Sequence, residues 1–451
     1  MKTDFIHSDF LLESPLARTL YHEYVEGLPI ADYHNHLVPT ELASDRRFDD
    51  IGQLWVASDP YKHRAMRLHG ECESVITGPA TTREKFDAWA RTLPHTLGNP
   101  LFHWSAMEMK NVFGLDEMPD AECASRVWDA CNERLKEAEF STMGILRSFG
   151  VKVLSTSDDL LDDVTVHSSV KGDIKVTPSL RADSILGFNP ARIERLGSPK
   201  TLEEYLAAVD ARLDAFSANG CRVADHALDD GWRFVLTDAE TAAKLYETGE
   251  YSDVRLKSYV LGHLASEYAS RGWAMLLHIG AQRFTNSRLR ALVGPAGGYA
   301  SIGNTCDIKS LCTFMDSQDV KGELPKTALF TLNPADNAVM SILSGSYSAD
   351  GVESIVTQGP AWWWCDHALG IRNTLDVIAS FGVVSRFIGM TTDSRSPLSF
   401  VRHDYFRRLL ASYIAEKSER EEWGLSEKQL GEILKRICYE NANEKIYRRK
   451  A

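Results

Sequence analysis

No stretch of the chain approaches the roughly 18 to 20 uncharged apolar residues that a membrane-crossing helix needs, so no such helix is expected. The first residues, Met1-Lys2-Thr3-Asp4-Phe5, carry charge early and lead into no apolar core before a small-residue cleavage site, which predicts a cytoplasmic protein without a secretion signal. Positive charge is also short. Fifty Lys and Arg face 63 Asp and Glu, for a net charge of -13, and this argues against nucleic acid or an anionic membrane as a partner. The eight cysteines, at 72, 123, 131, 221, 306, 312, 365 and 438, form no C-x-x-C pair, so reduced thiols are expected instead of a disulfide or zinc-ribbon framework. Gly294-Pro295-Ala296-Gly297-Gly298 ends in no Lys-Ser/Thr and fits no G-x-G-x-x-G frame, which makes it a turn and not a phosphate loop. There is no G-x-S-x-G elbow for a serine nucleophile, no internal repeat and no low-complexity tract.

What the chain does have is ordinary globular chemistry: 451 residues, 44% hydrophobic and 25% charged, enough for one large barrel with an insertion or for two or three domains. Eight short apolar, β-branched-rich runs predict strands at Pro29 to His36, Val151 to Asp158, Ile174 to Arg181, Cys221 to His226, Ala274 to Gln282, Lys326 to Asn333, Ser354 to Gln358 and Arg386 to Asp393. Helical periodicity fills much of the space between them, at Leu202 to Ala218, Ser252 to Arg271 and Ile371 to Phe381. Strand and helix in alternation imply a parallel sheet, and eight strands close a barrel. The expected fold is therefore an α/β (β/α)8 TIM barrel made of residues 1–39 and 149–451. Residues 40–148 form a helical insertion after the first strand, with helices at Arg83 to Leu93 and Ala121 to Arg147. The tail, Ser426 to Lys450, reads as a solvated helical surface.

Most runs end in polar groups, including His34, His36, Asp158, Arg181, Asp225, His226, His278, Asn333 and Asp393, and active sites of such barrels lie at the C-terminal strand ends. Asp32-Tyr33-His34-Asn35-His36 is the sharpest signal. Residues two apart on a strand share a face, so two imidazoles can bind one cation. Met390-Thr391-Thr392-Asp393 ends the eighth run, which barrel closure would set beside the first, giving His34, His36 and Asp393 as metal ligands. An Arg two residues on, Arg395, suits a carboxylate substrate. Arg181 is a second anion contact or the partner of a rim carboxylate.

The H-x-H pair on the first strand with an Asp on the eighth resembles the amidohydrolase superfamily. Longer motifs narrow the resemblance to the uronate (glucuronate) isomerase family: Asp32-Tyr33-His34-Asn35-His36-Leu37, Tyr61-Lys62-His63-Arg64-Ala65-Met66-Arg67, Leu277-His278-Ile279-Gly280-Ala281, Leu324-Pro325-Lys326-Thr327, Leu332-Asn333-Pro334, Trp362-Trp363 and Thr392-Asp393-Ser394-Arg395-Ser396. They span nearly the whole chain. The resemblance implies aldose–ketose isomerisation of D-glucuronate to D-fructuronate and of D-galacturonate to D-tagaturonate. It assigns catalysis to Asp393 and Tyr61 and the C6 carboxylate to Arg395. His278 becomes a metal ligand or a substrate contact. No Lys ends the fourth run and no His the sixth, so one divalent ion is expected; imidazole and carboxylate suit zinc, although manganese, iron and cobalt bind such sets too. A homo-oligomer is expected because such barrels often associate.

The match departs in two places. The family has a His immediately before the tyrosine, where this chain reads Asp59-Pro60-Tyr61, and its Asn-rich run after His278 becomes Arg283-Phe284-Thr285-Asn286-Ser287-Arg288. Pro supplies neither a proton nor a backbone N–H. Another sugar acid as substrate, or metal-assisted hydrolysis of a lactone or amide, therefore stays open.

Overall fold

The computed structural model describes residues 1–348, 350–353 and 355–447. Seven strands form a curled, wholly parallel sheet in chain order. They are β1 (Ile30–Asp32), β2 (Val151–Asp159), β3 (Lys175–Arg181), β4 (Val223–Leu228), β5 (Ala274–Ile279), β6 (Lys326–Thr331) and β7 (Val356–Gln358). Position 354, the expected start of the seventh run, and the last residues of the expected tail lie outside the described residues. The strands are apolar on both faces because each face is covered. Val223, Ala274, Leu276, Ala328 and Phe330 pack inside the curl, while Ala224, Met275, Leu277 and Leu329 pack outward against helices such as Leu202–Ala218 and Val254–Arg271.

The eighth expected run, Arg386 to Asp393, is not a strand. It begins in the 3-10 turn Val384–Arg386 and continues as extended chain. Gly389 interrupts any ladder there: its φ is +70°, and a Cβ on it would lie 2.2 Å from the carbonyl oxygen of Ile437. The segment still meets the chain just past β1, since Asp393 N donates to His34 O at 3.0 Å and His36 N donates to Ser394 O at 2.8 Å. β1 itself stops at Asp32, so His34 and His36 lie beyond the strand expected to carry them. The chain there hydrogen-bonds alternately to both sides, with Asn35 N donating to Ser155 O at 3.1 Å.

Between β1 and β2 the chain is mostly helical, from Pro39–Ala43 to Thr142–Ser148. The helix expected over Ala121 to Arg147 is two, Ala124–Arg134 and Thr142–Ser148, parted by the turn Ala138–Phe140. Trp55, Phe86, Trp89 and Trp104 share one core with Leu409, Leu410 and Ile414 of the helix Val401–Glu419. The tail corrects a further expectation. Ala442, Ile446 and Tyr447 are buried against the inner face of the sheet, and Tyr447 Oη donates to Asp32 O at 3.1 Å. The apolar residues between the tail's charges fill the bottom of the curl, so it is not a solvated surface.

Candidate active site

Strand alternation decides which polar residues reach the interior. Asp225 shares the inner face with Val223, and His278 shares it with Ala274 and Leu276. His226, one residue out of phase with Asp225, points to the helices instead, its Nε2 lying 3.1 Å from Tyr268 Oη. Asp158 and Asn333 are used locally: Asp158 accepts from Thr156 Oγ1 at 2.8 Å, and the Asn333 amide oxygen caps Ala335 N at 3.0 Å.

His34, His36 and Asp393 converge. Asp393 Oδ1 is 3.4 Å from His34 Nε2 and 3.0 Å from His36 Nε2. A second group overlaps the first, with ligand atoms of His34, Asp225 and His278 within 4.8 Å of one another; His34 Nδ1 is 3.9 Å from Asp225 Oδ1. His34 Nδ1 and His278 Nε2 are buried without a hydrogen-bond partner. Two orphaned imidazole nitrogens among carboxylates suit a metal ion or a polar ligand. The donor set therefore fits a divalent cation.

The electrostatics agree. Burial opposes ionisation of Asp393, but hydrogen bonds from His34 and His36 outweigh it and hold the carboxyl well below the usual range. Burial pushes His36 down to about 4. Burial and the neighbouring His34 push His278 far down, so it is neutral. His34 is drawn up, because its bond to Asp393 overcomes the burial that would lower it. Burial raises Asp225.

Asp32 holds this assembly together. Fully buried, it accepts from Asn35 Nδ2 (3.1 Å), Thr391 Oγ1 (3.0 Å) and Thr392 N (2.9 Å), and lies 2.9 Å from His403 Nε2. Two of those partners immediately precede Asp393. Trp362 adds a further hold: its Nε1 donates to Asp393 Oδ2 at 3.1 Å, and its ring lies 4.7 Å from that of His278. The next two residues, Trp363 and Trp364, line a cleft of about 730 Å³ together with Tyr61, Arg64, His103 and Tyr405, among others.

Tyr61 is the second residue of the helix Pro60–His69. Asp59 caps it, accepting from Tyr61 N at 2.8 Å and Lys62 N at 3.2 Å. Pro60 occupies the first helical position, where a missing N–H costs nothing and its fixed φ favours the turn. Tyr61 also lines a small cavity with Asp393, Arg395 and Arg402. Burial and the charge of Asp393 raise its phenol well above the ordinary value, so it is neutral. Arg395 is exposed and, among the described residues, forms no ion pair, leaving its fork open to an anion. Arg181 instead donates from Nε to Asp183 Oδ2 at 3.1 Å, with Asp225 and Asp393 also facing it.

Two contributors had no signal in the sequence: the buried Arg402, and Asp366, whose carboxyl burial pushes up to about 7; Trp362 stood in the Trp362-Trp363 motif, but its donation to Asp393 had not been read. Asp32 did have one, as the first residue of the H-x-H motif, though its role had not been read.

A curled parallel sheet with imidazole and carboxylate groups gathered at its strand ends makes this an α/β protein with a possible metal-binding group at the mouth of the sheet. The glucuronate isomerase family model matches residues 1–446, and the chain belongs to that family. It is an isomerase acting on a uronate. The uronate isomerase of Salmonella arizonae is 40% identical over 98% of this chain and 98% of its own. The crystal structure of uronate isomerase from Thermotoga maritima superposes with a TM-score of 0.91 at 26% identity, covering 98% of this chain and 100% of that one. Glucuronate isomerase from Caulobacter crescentus, 22% identical, shares the fold with a TM-score of 0.90 over 99% of this chain and 97% of its own.

Proposed function

We propose that the chain interconverts D-glucuronate with D-fructuronate and D-galacturonate with D-tagaturonate, on a closed (β/α)8 barrel of residues 1–39 and 149–451 into which residues 40–148 are inserted. The observation that carries the site reading is the convergence of His34, His36 and Asp393 beside a cavity shared by Tyr61, Asp393 and Arg395. His34, His36 and Asp393 would hold one divalent ion, zinc in our reading. Such an ion, when bound, supplies positive charge that draws in the substrate's oxygens and makes the adjoining C–H more acidic.

The protein's own groups divide the remaining work. Arg395, open to an anion, pairs with the C6 carboxylate, and Arg181 reaches it as a second contact. Asp393 is held ionised and so can accept the proton of the substrate hydroxyl. Tyr61 is held neutral and stands as the proton-transfer partner at C1 and C2. The proton that leaves C2 is balanced by one returned at C1, and the hydroxyl proton that Asp393 takes from the oxygen on C2 is given back to the oxygen on C1, so aldose and ketose have one composition. His278, neutral and with Nε2 unpartnered, hydrogen-bonds the substrate. Pro60 replaces a family histidine at a helix start, where it strengthens the turn that aims Tyr61.

Incubation of the metal-loaded protein with each uronate in heavy water tests this. Ketose signals with deuterium at C1 are expected by NMR. No ketose and no deuterium entry from either sugar would refute the substrate assignment.

A further inference from the structure

Arg402 is 2% exposed, at the start of the helix Val401–Glu419, yet among the described residues no carboxylate lies within 4.0 Å of it. A buried guanidinium without an ion pair is expensive to keep, and such charges normally sit beside an anion. Among the described residues its one hydrogen bond runs from Nη1 to Thr392 O, at 3.0 Å, next to Asp393. Nε has no partner. The guanidinium carbon lies 4.0 Å from the ring centre of Trp104 and 5.0 Å from that of Tyr61. It lines the same small cavity as Tyr61, Asp393 and Arg395.

We infer that Arg402 is the positioning residue of Tyr61: it fixes the ring from one face and keeps a positive charge beside the phenol for the moment its proton leaves. The inference rests on the assignment of Tyr61 to proton transfer. The strongest charge effects on Tyr61 come from Asp393, Arg402, Asp366 and Asp59; Arg395 lines the same small cavity and Arg64 the neighbouring cleft, but Arg402 is the cation whose guanidinium lies over the Tyr61 ring. Asp393 and Asp59, both held ionised, would resist a negative charge on the phenol, and Asp366 joins them above about pH 7. The guanidinium, desolvated and held by Trp104 and Thr392, offsets them at short range, where a preorganised charge acts strongly. It thereby supplies from the far side what a residue at position 60 cannot supply here.

A double-mutant cycle tests this. Arg402→Met is expected to lower kcat about 100- to 1000-fold, the usual cost of losing one preorganised donor or charge, with KM changed by less than about 3-fold. Arg402→Lys, which keeps the charge, should recover at least about 10-fold of that loss. Tyr61→Phe combined with Arg402→Met should be no slower than Tyr61→Phe alone, because the two residues act as one unit. Independent, multiplying losses would overturn the inference, as would an Arg402→Met enzyme that keeps its kcat or an Arg402→Lys enzyme as slow as Arg402→Met. If Arg402→Met does not fold, Arg402→Lys with and without Tyr61→Phe completes the same comparison. A fully active Tyr61→Phe enzyme would instead refute the assignment of Tyr61 itself, a separate failure.

Discussion

Replacing Asp32 by Asn changes one buried atom and should cost the protein about 3 kcal/mol. The carboxylate accepts at both oxygens, from Asn35 Nδ2 and Thr391 Oγ1 at one and from Thr392 N at the other, where His403 also lies. The amide oxygen of Asn can keep one pair. Its NH2 cannot accept from Thr392 N, so a buried amide is left unpaired at about 1–3 kcal/mol. The charge assistance on the remaining bonds is lost as well, which brings the total to about 3 kcal/mol. Burial works against ionisation of Asp32, but His403 and the other donors overcome it, so its carboxyl is lowered from 3.8. A lowered carboxyl stabilises the fold fully above about pH 4 and loses that contribution as the pH falls through the folded value. Urea unfolding at neutral pH should therefore show a lower midpoint with an unchanged slope, and the gap from the parent should narrow under acid. A midpoint implying less than about 0.5 kcal/mol would refute the view that Asp32 locks β1 to the segment bearing Asp393.

Asp393→Asn should abolish turnover and cut the bound metal, measured by steady-state assay and elemental analysis. Tyr61→Phe should lower kcat by at least about 100-fold while leaving metal content unchanged. Asp366 has its carboxyl raised to about 7 by burial. Between about pH 4 and 7 the unfolded chain is ionised and the folded one is not, so stability falls as the pH rises across that window; Asp366→Asn should flatten the decline in a series of urea titrations. Gly298→Ala should lower kcat through Tyr61, because φ there is +78° and a Cβ would sit 2.3 Å from Pro60 O, at the start of the helix that carries Tyr61.

The parallel sheet was legible because its strands are short apolar, β-branched-rich runs set apart by segments of helical periodicity, of which Leu202 to Ala218 is a helix with the expected bounds. The metal-type cluster was legible in H-x-H and Asp393, since both lie where the chain leaves the sheet. The eighth run misled because its apolar residues satisfy the pattern while Gly389 and Asp393, at φ +70° and +47°, break the ladder. The tail misled because its charges flank Ile446 and Tyr447, which fill the curl from below. Arg402 gave no sign: Arg402-His403-Asp404 reads as a solvated face, and only packing against Trp104 and Tyr61 reveals a buried cation. Pro60 looked like a lost catalytic group, and the cap by Asp59 shows what it does for the helix.

The most direct test of the central claim, one ion held by His34, His36 and Asp393, is the metal content of protein purified without chelators, beside that of His36→Asn. The account predicts about one divalent ion per chain in the parent and a loss of most of it in the variant. Two ions per chain, or a variant that keeps its full content, would contradict it.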